Sequence, residues 1–393
     1  MKTILFLSDQ NRYLETGLYS KLVEVLERDF NCVYFESDFR SGITYDKSEQ
    51  LDRKKKTEVF EQYLTLGPVQ LNTEKLSNPV CKLKRIWGNF FKKIHWRFCF
   101  LDILDKTKPD LCIFINPNSP NVKMVCNYRS HITKVWLQPA AIFKNVLEKK
   151  GILSELKYKL YESIFRLPIL PSKDQGLSNP NIHYLLWSES WINHIKRNRN
   201  SAYLAIGSPL FDQFWKKGKC VAFKNRPHTC LIILNKEKYI GRNSFYKYLR
   251  FYRKVIDQNP DFNFLVKAHP LGDLDLVKNK LPGVTVIQNN LQPDSVEMVI
   301  THWSSLAFQF MVSGVCTILV NPNGEFNFAK RNLEDYKFLV NDIPSANALI
   351  NRIRNRDFDF FGIEVRKFLR TKLTDVEGES SSQISDYIRG LLN

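Results

Sequence analysis

The sequence predicts an α/β protein made of two Rossmann-like domains that face each other across a cleft. Three observations carry this reading. Short apolar runs alternate with segments of helical period along the whole chain, the pattern of parallel sheets with crossover helices. At 393 residues the chain is too long for one ordinary core and suits two domains of roughly 150–200 residues. A polar, basic stretch with glycine and proline, Lys216–Pro227 (KKGKCVAFKNRP), interrupts the alternation, which then restarts. The expected division is an N-terminal domain over 1–215, a linker over 216–227, a C-terminal domain over 228–375, and a helix over 376–393 that is a candidate to return to the N-terminal domain.

In the first half, Thr3–Ser8 reads as a strand, followed by a loop containing Gly17, a helix to about Arg28 and a strand Asn31–Glu36. Asp110–Asn116, Lys134–Gln138, Ile182–Trp187 and Tyr203–Ile206 read as further strands. The second half opens with strand Thr229–Leu234 and a helix around Ser244–Ile256. Strand Asn263–Lys267, a helix near Leu274–Lys280, and strands Val284–Gln288 and Val296–Thr301 follow. Helix Ser304–Val312 and strand Cys316–Asn321 complete the pattern, which holds no internal repeat and no low-complexity block.

A content of 44% hydrophobic and 25% charged residues is that of a soluble globular protein. The net charge of +18 attracts anions, whether nucleic acid, the inner face of a membrane or phosphorylated substrates. Because the cations are spread along the chain and no nucleic-acid-binding module is recognisable, nucleic acid is not the expected partner. None of the eight cysteines stands in C-x-x-C spacing, and Cys32, Cys112, Cys230 and Cys316 fall in apolar strands, where a thiol is a small hydrophobe. The opening MKTILFLSDQ lacks the apolar length and cleavage site of a secretion signal, and no run of 18 apolar residues occurs. The expected location is therefore cytoplasmic, with peripheral contact at the inner membrane face left open. The segment 82–98 (KLKRIWGNFFKKIHWRF) is a basic amphipathic helix that either lies on an anionic membrane or packs its apolar face on the first sheet.

Three segments at strand ends carry phosphate chemistry. In NFLVKAHP a strand ends at Lys267, and His269 follows at the sheet edge, both able to donate to an anion. In VITHWSSLAFQF a strand turns into a helix beginning at Ser304 and Ser305, whose hydroxyls and free N–H groups make an anion cradle aided by the helix dipole. In IGSP, Gly207 permits close backbone approach and Ser208 is placed to cap the next helix. Each has an ordinary reading too, since Ser-Ser at a helix start is commonly a cap and His-Pro is a common pair.

KAHP followed by VITHWSSLAFQFMVSGVCTILVNP resembles the His-Pro and Ser-Ser motifs of bacterial transferases that use cytidine-nucleotide donors. These are the capsule polysaccharide biosynthesis group with its Kdo transferases, bacterial sialyltransferases and, more distantly, CDP-glycerol glycerophosphotransferases. The likeness covers about 263–322 and more vaguely 184–214. It implies a GT-B glycosyltransferase that moves an acidic sugar, Kdo by the closest resemblance, from a CMP-activated donor to a surface-polysaccharide or lipid-linked acceptor. By resemblance His269, Ser304 and Ser305 hold the nucleotide phosphate; Lys267 is added on its chemistry.

The reactive carboxylate is less defined. Such transferases carry an acidic pair after the first strand of this half, where LNKEKYIG offers only Glu237. Glu189, in YLLWSES at a strand–helix junction, is the second catalytic candidate, and Asp9, at the end of the first strand, is a candidate for acceptor contact. No metal-ligand cluster is evident and no cofactor is expected beyond the CMP-sugar donor itself. Two alternatives remain open: glycerol-phosphate transfer from CDP-glycerol, and a UDP-sugar epimerase of similar two-domain build.

Overall fold

The computed structural model describes residues 1–8, 19–36, 100–115, 120–129, 131–140, 181–195, 197–218, 228–235, 241–269, 272–287, 291–302, 304–324, 332–374 and 377–393. Two parallel six-stranded sheets organise them. The first contains β1 (Thr3–Ser8), β2 (Asn31–Glu36), β3 (Leu111–Phe114), β4 (Thr133–Leu137), β5 (His183–Leu186) and β6 (Ala202–Ala205), in the order β2-β1-β3-β4-β5-β6. The second contains β7 (Thr229–Ile233), β8 (Asn263–Lys267), β9 (Thr285–Ile287), β10 (Met298–Thr301), β11 (Cys316–Val320) and β12 (Leu339–Val340), in the order β12-β11-β10-β7-β8-β9. This is a GT-B-like, two-domain α/β fold.

The strands are short and nearly continuous in apolar residues, as strands buried on both faces must be. β3, β7, β10 and β11 are buried along their whole length. Around them lie α1 (Ser20–Leu26), α2 (Pro120–Tyr128), α3 (Glu189–Ile192), α4 (Asp212–Gly218), α5 (Arg242–Gln258), α6 (Leu274–Lys280), α7 (Ser305–Val312), α8 (Ile343–Arg354), α9 (Phe358–Lys372) and α10 (Ser380–Leu392). β1, β2 and β8 match the expected runs, whereas β3, β5 and β9 are a residue or two shorter at each end and β7 ends one residue early, because the apolar runs continue past the ladder: Trp187 and Leu234 are buried beyond β5 and β7. α4 runs to Gly218, so the first three residues of the expected linker are helical, and 219–227 lie outside the described residues.

The chain crosses between the halves after α9. Thr374 N–H donates to the Trp187 carbonyl at 2.7 Å, bringing the segment onto the first sheet's edge. Gly378 then takes φ +81°, where a Cβ would stand 2.7 Å from the Asp212 carbonyl oxygen. Asp212, fully buried in α4, accepts from the Ser381 N–H at 2.7 Å and so caps α10. α10 packs on α1, with Arg389 bridged to Asp29 and the Tyr387 hydroxyl 2.8 Å from His183 Nδ1. Five cysteines among the described residues are free thiols. No helix among them is long and apolar enough to cross a membrane.

Candidate functional site

In an open parallel sheet the loops leaving the strand carboxyl ends form the ligand crevice. In the second sheet β7 lies between β8 and β10, so the strands bearing His269 and Ser304 run about 10 Å apart. β8 is held in place there by Leu234 N–H donating to the Lys267 carbonyl and by Ala268 N–H donating to Ile287. Past it, the Gly272 N–H donates to the His269 carbonyl at 2.8 Å, and a Cβ at Gly272 would stand 3.1 Å from that oxygen. His269 is half-buried at this edge.

Strand alternation assigns the neighbouring side chains to faces. Leu231, Ile233 and Val299 meet Phe310 and Leu306 of α7 on one face. Lys267 and Thr301, each two residues beyond Leu265 and Val299, share it. Lys267 is only 8% exposed, and burial holds its ammonium below the ordinary lysine pKa. Thr301 Oγ1 donates to the Ile233 carbonyl at 2.9 Å, tying β10 to β7 beneath the site.

α7 starts at Ser305, with Ser304 as its N-cap in extended backbone. Ser304 Oγ accepts from the Leu306 N–H at 3.2 Å, so the hydroxyl serves as the cap and keeps its own proton to donate. Ser305, half-buried, is the first helical residue.

On the opposite face His302 is fully buried beside α5, its ring 4.4 Å from Tyr248 and its Nδ1 3.1 Å from the Tyr252 hydroxyl. Burial keeps that phenol protonated far above its usual range. His302 sits inside the motif that drew attention to Ser304, yet its imidazole is taken up by Tyr248 and Tyr252 of α5. Arg242 opens α5, which follows β7 and therefore begins at the same edge; no acidic residue stands in its first turn. Gly241, which precedes it, has φ +85°.

The first sheet brings its carboxyl edge to the same region. Trp187 packs edge-to-face on Phe308 of α7 at 5.4 Å and on Phe211 at 5.3 Å, and Phe211 lies 6.1 Å from Phe308. Gly207, with φ +93°, and Ser208 make the turn that delivers Phe211. Ser208 does not cap the next helix as its spacing suggested: its Oγ is buried without a hydrogen-bond partner, and α4 starts four residues later at Asp212. Glu189 is exposed at the start of α3, two residues beyond Trp187. Glu237, Asp9 and the segment 82–98 lie outside the described residues. Among the described residues no group of three or more metal-ligating side chains occurs.

No protein-family model matches the chain, and no curated protein matches it in sequence. Solved structures do match in fold. UDP-GlcNAc 2-epimerase from Neisseria meningitidis bound to UDP-GlcNAc is 12% identical over 100% of both chains, with a TM-score of 0.53. The glycotransferase of kitacinnamycin is 11% identical over 98% of both chains, at 0.55. The calicheamicin glycosyltransferase CalG4 is 12% identical over 100% of this chain and 98% of its own, at 0.51. At such identities the likeness defines the fold: the architecture is that of GT-B-type proteins along the whole chain.

Proposed function

We propose that the protein is a nucleotide-sugar-dependent glycosyltransferase that moves an acidic sugar, Kdo as the leading candidate, from a CMP-activated donor to a surface-polysaccharide or lipid-linked acceptor. What supports this reading is the placement of Lys267 and His269 at the end of β8, and of the Ser304–Ser305 start of α7 after β10, on the two strands that flank β7. In this reading His269 and Lys267 donate to the nucleotide phosphate from one side. The Ser304 hydroxyl, Ser305 and the α7 dipole stabilise it from the other. CMP leaves as a phosphate monoester whose growing negative charge these groups stabilise, and a carboxylate, Glu237 or Glu189, deprotonates the acceptor hydroxyl or attacks the sugar. Residues 1–215 form the acceptor side, with Asp9 as a contact, and Gly207–Ser208 approach the nucleotide from that half. The enzyme works in the cytoplasm, at the inner face of the membrane where lipid-linked acceptors lie.

One second reading has specific support. A structure matched over the full length of both chains holds UDP-GlcNAc and belongs to a 2-epimerase, so epimerisation of a UDP-sugar is the competing activity. Glycerol-phosphate transfer from CDP-glycerol would use the same cradle and differs only in the group moved. Separate incubations with CMP-Kdo, CDP-glycerol and UDP-GlcNAc, each with and without a polysaccharide acceptor, followed by chromatography of nucleotides and nucleotide sugars, separate these readings. Acceptor-dependent release of CMP supports the transferase; conversion of UDP-GlcNAc into its 2-epimer, with CMP-Kdo and CDP-glycerol left intact, would replace it.

A further inference from the structure

The turn between β10 and α7 carries a buried polar pair. From it we infer that His302, locked onto Tyr252, is a positioning residue for the phosphate held at the start of α7, an inference that rests on the nucleotide reading given above. Side chains alternate along β10, so Met298 and Ile300, continued past the strand by His302, fall on one face, and Val299 and Thr301 on the other. Met298 and Ile300 join the apolar core to which Phe245, Tyr248 and Tyr252 of α5 belong. At His302 that core receives an imidazole with no exposed surface. Its Nδ1 stands 3.1 Å from the Tyr252 hydroxyl, and its ring 4.4 Å from that of Tyr248. Burial drives the Tyr252 phenol well above its ordinary range, and a main-chain hydrogen bond from His302 is the one influence that opposes the rise. One hydroxyl thus holds both the ring and the backbone of His302.

Packing alone does not ask for a histidine here. An apolar ring would fill the space with no partner, whereas a buried imidazole is costly unless its bond is made. What the bond adds is direction, since a satisfied polar pair specifies one arrangement where apolar contact tolerates several. Ser304 follows two residues later, within about 7 Å of chain. On the other face Thr301 Oγ1 donates to the Ile233 carbonyl at 2.9 Å. The segment that delivers the cap of α7 is therefore fastened on both faces, to β7 by Thr301 and to α5 by His302. Hydrogen bonds to a phosphate weaken steeply with distance and angle. A small shift of Ser304 and of the first N–H groups of α7 therefore loses phosphate affinity while the fold stays intact.

Tyr252→Phe removes the hydroxyl and keeps the ring. Its matched control is Tyr336→Phe, which removes an equally buried bond, from the Tyr336 hydroxyl to the Thr317 carbonyl near the amino end of β11, the end opposite Ser304. Isothermal titration with CMP, and with cytidine, which lacks the phosphate, is read beside thermal melting. The native protein should bind CMP more tightly than cytidine; equal affinities would remove the phosphate reading, and this inference with it, before any variant is compared. In Tyr252→Phe, CMP affinity should fall about tenfold, the worth of one hydrogen bond to a charged group, while cytidine affinity holds. Tyr336→Phe should lose a similar amount of melting temperature and keep its CMP affinity. His302→Leu should repeat the phosphate-specific loss, and Tyr252→Phe added to it should cost nothing further. Undiminished CMP affinity in Tyr252→Phe, an equal loss of cytidine affinity, or the same loss in Tyr336→Phe would overturn the inference and leave the phosphate reading in place.

Discussion

Trp187 and Phe308 meet edge to face at 5.4 Å, one residue from each half of the molecule. Phe308 stands one turn into α7, the helix whose first residues are Ser304 and Ser305. Trp187 is fixed in turn by two bonds to Gln138: its indole N–H donates to the backbone carbonyl at 2.8 Å, and its backbone N–H donates to the side-chain oxygen at 2.9 Å. α7 is thereby braced against the first sheet as well as the second.

Truncation of this contact should be costly. Phe308 is buried among Trp187, Phe211 and Phe368, and Phe308→Ala should lower stability by about 3–5 kcal/mol in urea unfolding. Phe308→Leu, which retains most of the volume, should cost less than half as much. Equal effects from both would mean that the ring's packing is not what braces α7.

Ser304 separates capping from anion binding. Ser304→Ala removes the bond to the Leu306 N–H and should destabilise the protein by about 1 kcal/mol. Ser304→Asp supplies an equally good cap and should keep native stability. If the phosphate sits at this helix start, the added carboxylate repels it, and nucleotide affinity should fall at least tenfold. Calorimetric melting alongside nucleotide titration of the two variants reads both effects.

The crossing of the chain onto the first half rests on Asp212 and Gly378. Asp212→Ala leaves the Ser381 N–H buried without its acceptor and should cost about 1–3 kcal/mol. Gly378→Ala should cost more than about 1 kcal/mol, because φ +81° disfavours a side chain and the new Cβ meets the Asp212 carbonyl. Native-state hydrogen exchange should show α10 losing protection in both variants before β7 and β10 do; uniform loss across the molecule would contradict this order.

His183 ties α10 to the first sheet through Tyr387, and burial, followed by the charge of Lys134, lowers its pKa below the ordinary 6.5. Between its folded value and 6.5 the unfolded chain therefore binds a proton that the folded chain does not. Its share of stability is full above pH 6.5, declines as pH falls through that window, and stays reduced below it. His183→Gln should flatten this part of the stability–pH curve. An unchanged slope in the variant would place the titration elsewhere.

The strands were legible because both sheets are buried on both faces, so β3, β7, β10 and β11 read as plain apolar runs. The start of α7 was legible for a local reason as well, since its cap lies in the sequence beside the helix it caps. Contacts made at long range were not. Nothing near His302 announces that Tyr248 and Tyr252, some fifty residues earlier, receive its ring. Ser208 looked like a cap because it precedes α4, but the turn places its hydroxyl in the interior and the helix begins later. The capping carboxylate of α10 sits 169 residues away in Asp212, a pairing that only the folded crossing creates.

We propose that a cytidine nucleotide's phosphate is held between His269 and the start of α7. Isothermal titration of CMP, CDP and UDP into the native protein, His269→Ala and Ser304→Asp tests it most directly. CMP should bind the native protein more tightly than UDP does, and each substitution should weaken CMP by tenfold or more while the melting temperature of Ser304→Asp stays native. Preference for UDP, or CMP affinity undiminished in both variants, would contradict it.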